Sequence, residues 1–128
     1  VLTEGDDQQD PIVDCARAVL DGHIVLSRHL AEAGHYPAID IAQSISRCMS
    51  QVTHSDHQRA ARGMKQLYAE YAAIKPMIPL GGYVAGTDPL TDRAVALAPA
   101  IQRYLQQEVK QAAMLEEAIT QLSAVVNP

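Results

Sequence analysis

From residue 55 onward the apolar residues recur with the period of an α-helix, and this more than anything else limits what the chain can become. Ala60, Ala61, Met64, Leu67, Tyr68, Tyr71 and Ile74 form one stripe that must stop before Pro76. Leu90, Ala94, Leu97, Ala98, Ile101 and Leu105 form a second, started by the cap-plus-proline pair Asp88-Pro89. Leu115, Ala118, Ile119 and Leu122 form a third, on a helix over about 114–125. Amphipathic helices joined by short connections bury their stripes against one another, so this half predicts a small bundle. Ser55 to Gln58 reads as a capping box for the first helix, and Pro99 is expected to break or kink the second.

The first fifty residues read differently. Val1 to Thr3 is a strand stub, followed by an acidic polar loop that ends at Asp10, a cap for a helix with Pro11 at its first position. Ile12, Cys15, Ala16, Val19 and Leu20 keep helical spacing, residues 23–27 are apolar and β-branched like a strand, and residues 28–33 suit a short helix closed by Gly34. Residues 35–47 hold no sustained period and are expected to be irregular, the kind of segment that carries function. These elements look like the end of an α/β domain whose sheet partners are missing. The opening on Val1 rather than Met fits a piece of something larger. The domain expectation is thus 1–50 for the α/β end and 51–128 for the helical part.

Composition excludes several function classes. Of 128 residues, 48% are apolar and 20% charged, which is globular rather than disordered or rod-like. The apolar run between Arg93 and Arg103 is about half of the ~20 residues that a membrane-spanning helix needs. A net charge of −5 with no two basic residues adjacent argues against nucleic-acid backbone binding. Two cysteines, Cys15 and Cys48, are too few for a secreted disulfide framework and fit no metal spacing, so they read as reduced thiols of a cytosolic protein. His54 and His57 lack the further ligands of a zinc site. No GxSxG, catalytic triad or GxxxxGK[ST] loop occurs, so this stretch alone is not expected to be an enzyme.

Three groups carry candidate chemistry. Arg47 ends the irregular segment beside Ser44 and Ser46, and its planar guanidinium suits either phosphate oxygens or a solvated surface ion pair. Phe and Trp are absent, so Tyr36, Tyr68, Tyr71, Tyr83 and Tyr104 are the only rings. Tyr36 and Tyr83 lie in Pro/Gly-bearing segments and suit either stacking on a flat ligand or anchoring their loops; the other three suit packing. Glu4, Asp6, Asp7 and Asp10 lack calcium-loop spacing and read as a solvated acidic loop, available to a basic partner.

The segments VLTEGDDQQDP (1–11), DGHIVLSR (21–28), GHYPAID (34–40), SISR (44–47) and GYVAGTDP (82–89) resemble the rotary-type ATPases. Within these they are most similar to the flagellar type III protein-export ATPases, with the injectisome secretion ATPases as the near alternative. The resemblance implies the end of a RecA-like α/β nucleotide-binding core followed by a C-terminal helical domain, hence a mainly α chain. It implies a homohexamer that hydrolyses ATP with magnesium at the cytoplasmic base of an export apparatus, peripheral to the inner membrane. Its phosphate loop would lie outside these 128 residues, leaving the piece alone inactive. It further implies that Arg47 acts as an arginine finger in trans, that Tyr36 with Pro37 and Tyr83 hold adenine, and that Asp6, Asp7 and Asp10 face a coiled-coil stalk protein. Export chaperone–substrate complexes and the export gate would be further partners. A non-catalytic chaperone- or stalk-docking module is the alternative from another class; Cys15 and Cys48 have no implied role.

Overall fold

A computed structural model describes residues 10–127. The expected strand stub and most of the acidic loop, including Asp6 and Asp7, lie outside the described residues. The chain runs α1 (Pro11–Val19), β1 (Gly22–Leu26), α2 (Arg28–Glu32), β2 (Ile39–Ser46), α3 (Met49–Val52), α4 (Ser55–Ile74), α5 (Pro89–Leu105) and α6 (Leu115–Val126). A single turn of 3-10 helix, Ile78–Leu80, sits in the connection between α4 and α5.

The helical half forms as its periodicity requires. Ala60, Met64 and Leu67 of α4, Ala94 and Ile101 of α5, and Leu122 and Val126 of α6 close one buried core, with Tyr68, Tyr71, Leu97, Tyr104 and Val125 packed around it. Small residues at 60 and 94 let α4 and α5 approach closely, and Ile101, 1% exposed, fills the space between. Asp88 caps α5 by accepting from the Leu90 and Thr91 N–H groups, with Pro89 at the first position.

At four points the structure adds to or corrects the sequence reading of the helices. Ser55 is not the cap: His54 occupies that place without a side-chain bond, and Gln58 instead donates to the carbonyls of Thr53 and Ser50. Gln58 thereby satisfies groups of the preceding turn rather than the helix's own N–H groups. Of the two outcomes expected at Pro99, the break does not occur: α5 continues through it to Leu105. The bundle packing around Ala98 and Ile101 outweighs the one backbone bond that the proline cannot donate. Leu115 does not point inward but is 72% exposed, because the inward face of α6 begins only with Ala118 and is fully buried at Leu122 and Val126. In α1 the spacing is helical but the stripe faces outward. Ile12, Cys15, Val19 and Leu20 are exposed and Val13 alone is buried, because α1 has no extensive packing against another described element.

The segment 35–47 is also corrected: residues 39–46 are a strand, paired antiparallel with β1. Its lack of period has a physical cause in the register. Val25 faces Asp40 and His23 faces Ile45, so four residues of β2 stand opposite the single Ile24 of β1. Asp40 organises this bulge. Its Oδ1 accepts from Ala42 N (2.9 Å) and Gln43 N (3.1 Å), while Ser44 Oγ donates to the Asp40 carbonyl (2.6 Å) and accepts from Val25 N (3.0 Å). Alternation is lost at the bulge, so no strand pattern can be read across it. At the far end of the pairing only glycine fits at position 22, where a Cβ would meet the Ile45 carbonyl oxygen at 2.7 Å.

The two halves touch. Ile41 of β2 packs on the bundle core, Lys65 of α4 donates to the Ser44 carbonyl (2.7 Å), and Gln107 N donates to the Tyr36 carbonyl (2.9 Å).

Candidate functional site

Arg47 follows β2 directly, and its backbone N–H donates to the Asp21 carbonyl (2.8 Å). That bond turns the side chain toward the end of α1, where its guanidinium donates to the carbonyls of Ala18 and Arg17, both at 3.2 Å. The last carbonyls of a helix lack intrahelical partners and carry the negative end of its dipole, so a cation is well placed there. Two of five guanidinium donors are used in these bonds, and the residue is solvent-exposed. Sequence reasoning did not anticipate this helix-terminal contact.

Tyr36 precedes a cis bond to Pro37. Tyr36 is 55% exposed and borders a cavity of about 370 Å³ with Gly34, Gln107 and Val109. Pro37 lines a different cavity of about 310 Å³ together with Ile39, Ile41 and Tyr104. Tyr83 lies across the bundle connection and lines a third, about 210 Å³, with Ile74, Val84, Thr87 and Thr91. Tyr36 and Tyr83 thus line separate cavities, and Arg47 lines none of the three.

Tyr83 belongs to a polar cluster at the start of α5. Its hydroxyl donates to Asp92 Oδ1 (2.7 Å), and the other Asp92 oxygen accepts from Gly86 N (2.8 Å). The hydrogen bond to Asp92, more than desolvation, raises the phenol above its usual pKa by favouring the protonated form. Gly86 has φ +88°, a left-handed conformation that a side chain would strain, and it aims this N–H back at α5. Thr91 Oγ1 lies 2.6 Å from Asp88 and 2.7 Å from Glu70. Hydrogen bonds from Thr91 and Leu90 hold the Asp88 carboxyl below its usual pKa. Asp92 is visible in the sequence only as an acid in the first turn of a helix; that the preceding loop folds back onto it is a tertiary fact.

The other candidates have local explanations. Asp10 Oδ1 accepts from Ile12 N (2.7 Å) and Val13 N (3.4 Å), capping α1 as its position suggests. Cys15 is exposed, Cys48 is half-buried, and neither is in a disulfide. Tyr68, Tyr71 and Tyr104 pack against the core, as their helical positions imply. Among the described residues no cluster of three His, Cys, Asp or Glu side chains is arranged to hold a metal ion, and no helix is long and apolar enough to cross a membrane.

Comparison with known proteins shows the family and the fold. Residues 53–124 match the family model described as the T3SS EscN ATPase C-terminal domain, and residues 1–46 match the ATP synthase alpha/beta family, nucleotide-binding domain. A Flagellum-specific ATP synthase of Pseudomonas aeruginosa is 52% identical over 98% of this chain, and a Type 3 secretion system ATPase of Pseudomonas syringae pv. tomato is 49% identical over 99%. The chain spans 28% of the length of each of these relatives. The assembled ATPase EscN of enteropathogenic E. coli superposes with a TM-score of 0.95 at 46% identity, covering 98% of this chain and 31% of that one. EscN in complex with its central stalk EscO gives 0.86 at 46% identity, covering 91% of this chain and 29% of that one. The chain belongs to the family of type III secretion and flagellum-specific ATPases, and its fold is that of the C-terminal part of EscN.

Proposed function

We propose that the chain is the C-terminal part of a hexameric ATPase that couples ATP hydrolysis to flagellar type III protein export, and that Arg47 is its arginine finger. The observation that carries the reading is the match of both halves, in order, to an ATP synthase nucleotide-binding domain and to the EscN C-terminal domain. On this reading residues 1–50 complete a RecA-like core and residues 51–128 form the helical domain. The flagellar branch is preferred over the injectisome branch on the 52% relative.

Phosphates and magnesium would be held by residues outside this chain, which by itself is inactive. Magnesium neutralises phosphate charge when bound; the chain's own residues recognise the nucleotide from two sides. Tyr36 and Pro37 from the core, and Tyr83 from the helical domain, would pack on adenine, so that closing the two halves on a nucleotide buries ring faces. Arg47 would reach the nucleotide of the adjacent subunit. An always-charged guanidinium beside the γ-phosphoryl oxygens stabilises charge that develops in the transition state, worth on the order of a thousandfold in rate. Its exposure and its partly used donors leave it free to exchange the α1 carbonyls for phosphate oxygens.

The acidic segment Asp6, Asp7 and Asp10 would face a coiled-coil stalk, as EscN is found with its stalk EscO. The helical domain would dock export chaperone–substrate complexes and the export gate, with the ring on the cytoplasmic side, peripheral to the inner membrane. A second reading, in which this region docks partners without taking part in catalysis, is favoured by one observation. Arg47 already has a structural role on the end of α1.

Steady-state ATP hydrolysis by the full-length ATPase carrying Arg47→Ala decides between them, measured where the ring is shown to assemble. The finger reading expects turnover to fall on the order of a thousandfold with nucleotide binding and assembly retained. Unchanged turnover makes Arg47 a helix-terminal arginine and leaves the docking reading standing.

A further inference from the structure

We propose that Asp92 is a positioning residue that sets the Tyr83 ring for the nucleotide base, an inference that rests on the adenine-stacking reading of Tyr83. The argument begins with the segment that carries the ring. Residues 81–88 are a turn-rich connection between α4 and α5, and Val84 and Leu80 within or beside it are exposed. Such a segment has little apolar burial to fix it, so polar bonds must hold the ring if it is to present one face.

Asp92 supplies them at two points. One carboxylate oxygen takes the Tyr83 hydroxyl at 2.7 Å and the other takes the Gly86 N–H at 2.8 Å. The first bond fixes the far end of the ring; the second fixes the turn three residues on, where the left-handed glycine brings the backbone to α5. Asp92 sits in the first turn of a helix that is capped by Asp88 and packed through Ala94 directly into the core. The clamp therefore ties the Tyr83 ring to α5, which the core holds in place. A ring ordered before the base arrives loses less rotamer freedom on binding, which strengthens binding without touching the reacting atoms. The raised pKa of the phenol agrees with a hydroxyl that donates to a carboxylate rather than to water.

The chemistry of the clamp also makes it separable from a helix-end charge effect. Asparagine at 92 keeps one oxygen for the Gly86 N–H and offers an N–H to the phenol oxygen, so it preserves both links while removing the charge. Alanine removes both links. If Asp92 served only to complement the helix dipole, asparagine and alanine would behave alike.

The test uses the assembled full-length ATPase with ATP as the probe, reading KM, kcat and thermal unfolding for Asp92→Ala, Asp92→Asn, Tyr83→Phe, Tyr83→Ala and the Asp92→Ala/Tyr83→Ala pair. Asp92→Ala is expected to raise KM about tenfold with kcat within about twofold, as loss of a charge-assisted bond implies. Asp92→Asn should restore KM to within about threefold of the parent, and Asp92→Ala should add nothing in the Tyr83→Ala background. Should Asp92→Ala fail to assemble, Tyr83→Phe decides: it keeps the ring, cuts one link, and is expected to raise KM about threefold. An unchanged KM in Tyr83→Phe then overturns the proposal. A normal KM in Asp92→Ala beside a raised KM in Tyr83→Ala overturns the role of Asp92 and leaves adenine stacking intact. Asparagine as damaging as alanine likewise overturns it, while a normal KM in Tyr83→Ala removes the stacking reading itself.

Discussion

Gly63 offers a test in which two well-understood effects oppose each other. It lies in the middle of α4, where alanine is favoured over glycine by about 1 kcal/mol in helix propensity. On propensity alone, Gly63→Ala should stabilise the chain. The structure reverses the sign. A Cβ at 63 would stand 2.9 Å from Val126 Cγ1, against roughly 3.5–4.0 Å for an ordinary carbon contact. Val126 is 5% exposed, its branched side chain is stiff within a helix, and its carbonyl accepts from Arg93 of α5, so α6 cannot simply withdraw. Overpacking of this kind costs ~1–3 kcal/mol, and a middle value of about 2 less the propensity gain leaves a net loss near 1 kcal/mol. In urea that is a midpoint lowered by about 0.5 M, read by far-ultraviolet circular dichroism. Removing the obstacle should restore the propensity effect: in a Val126→Ala background the same Gly63→Ala change should stabilise by about 1 kcal/mol, a coupling of roughly 2 between the sites. If Gly63→Ala stabilises equally in both backgrounds, the α4–α6 contact is looser than drawn and the reasoning fails.

Two further measurements probe the core and the phenols. Ile101→Ala should cost about 3 kcal/mol and lower the melting temperature by about 10 °C, whereas Leu115→Ala should change stability by no more than about 0.5 kcal/mol; equal effects would contradict the orientation of α6. In an absorbance titration Tyr68, Tyr83 and Tyr104 should ionise above the usual phenol value of 10.0, Tyr68 and Tyr104 chiefly because burial disfavours the phenolate and Tyr83 because Asp92 holds its proton. Since the folded state raises these values, their stabilising contribution is full below pH 10 and is lost as pH rises through each folded value. Asp92→Ala should lower the value of Tyr83 alone.

The sequence by itself determined the bundle. Three apolar stripes at helical spacing, with Asp88-Pro89 to start one helix and Pro76 to stop another, leave few ways to bury Leu67, Ile101 and Leu122 other than against each other. It also placed α1 behind Asp10 and β1 before α2, since caps and short β-branched runs are local signals. Tertiary structure decided what local pattern cannot encode. Residues 39–46 became a strand despite their broken period, because pairing with β1 supplies the ladder and Asp40 closes the bulge internally. The same helical periodicity faces solvent in α1 and the core in α4, since periodicity gives a face but not a neighbour. The candidate site divides along the same line. Arg47, Tyr36 and Tyr83 stand out as residue types in unusual segments. That Arg47 rests on the α1 carbonyls, that the Tyr36 carbonyl meets Gln107, and that Asp92 holds Tyr83 depend on chain segments brought together by folding. Hydrogen bonds between distant residues leave no period in a sequence, and only the assembled backbone fixes who donates to whom.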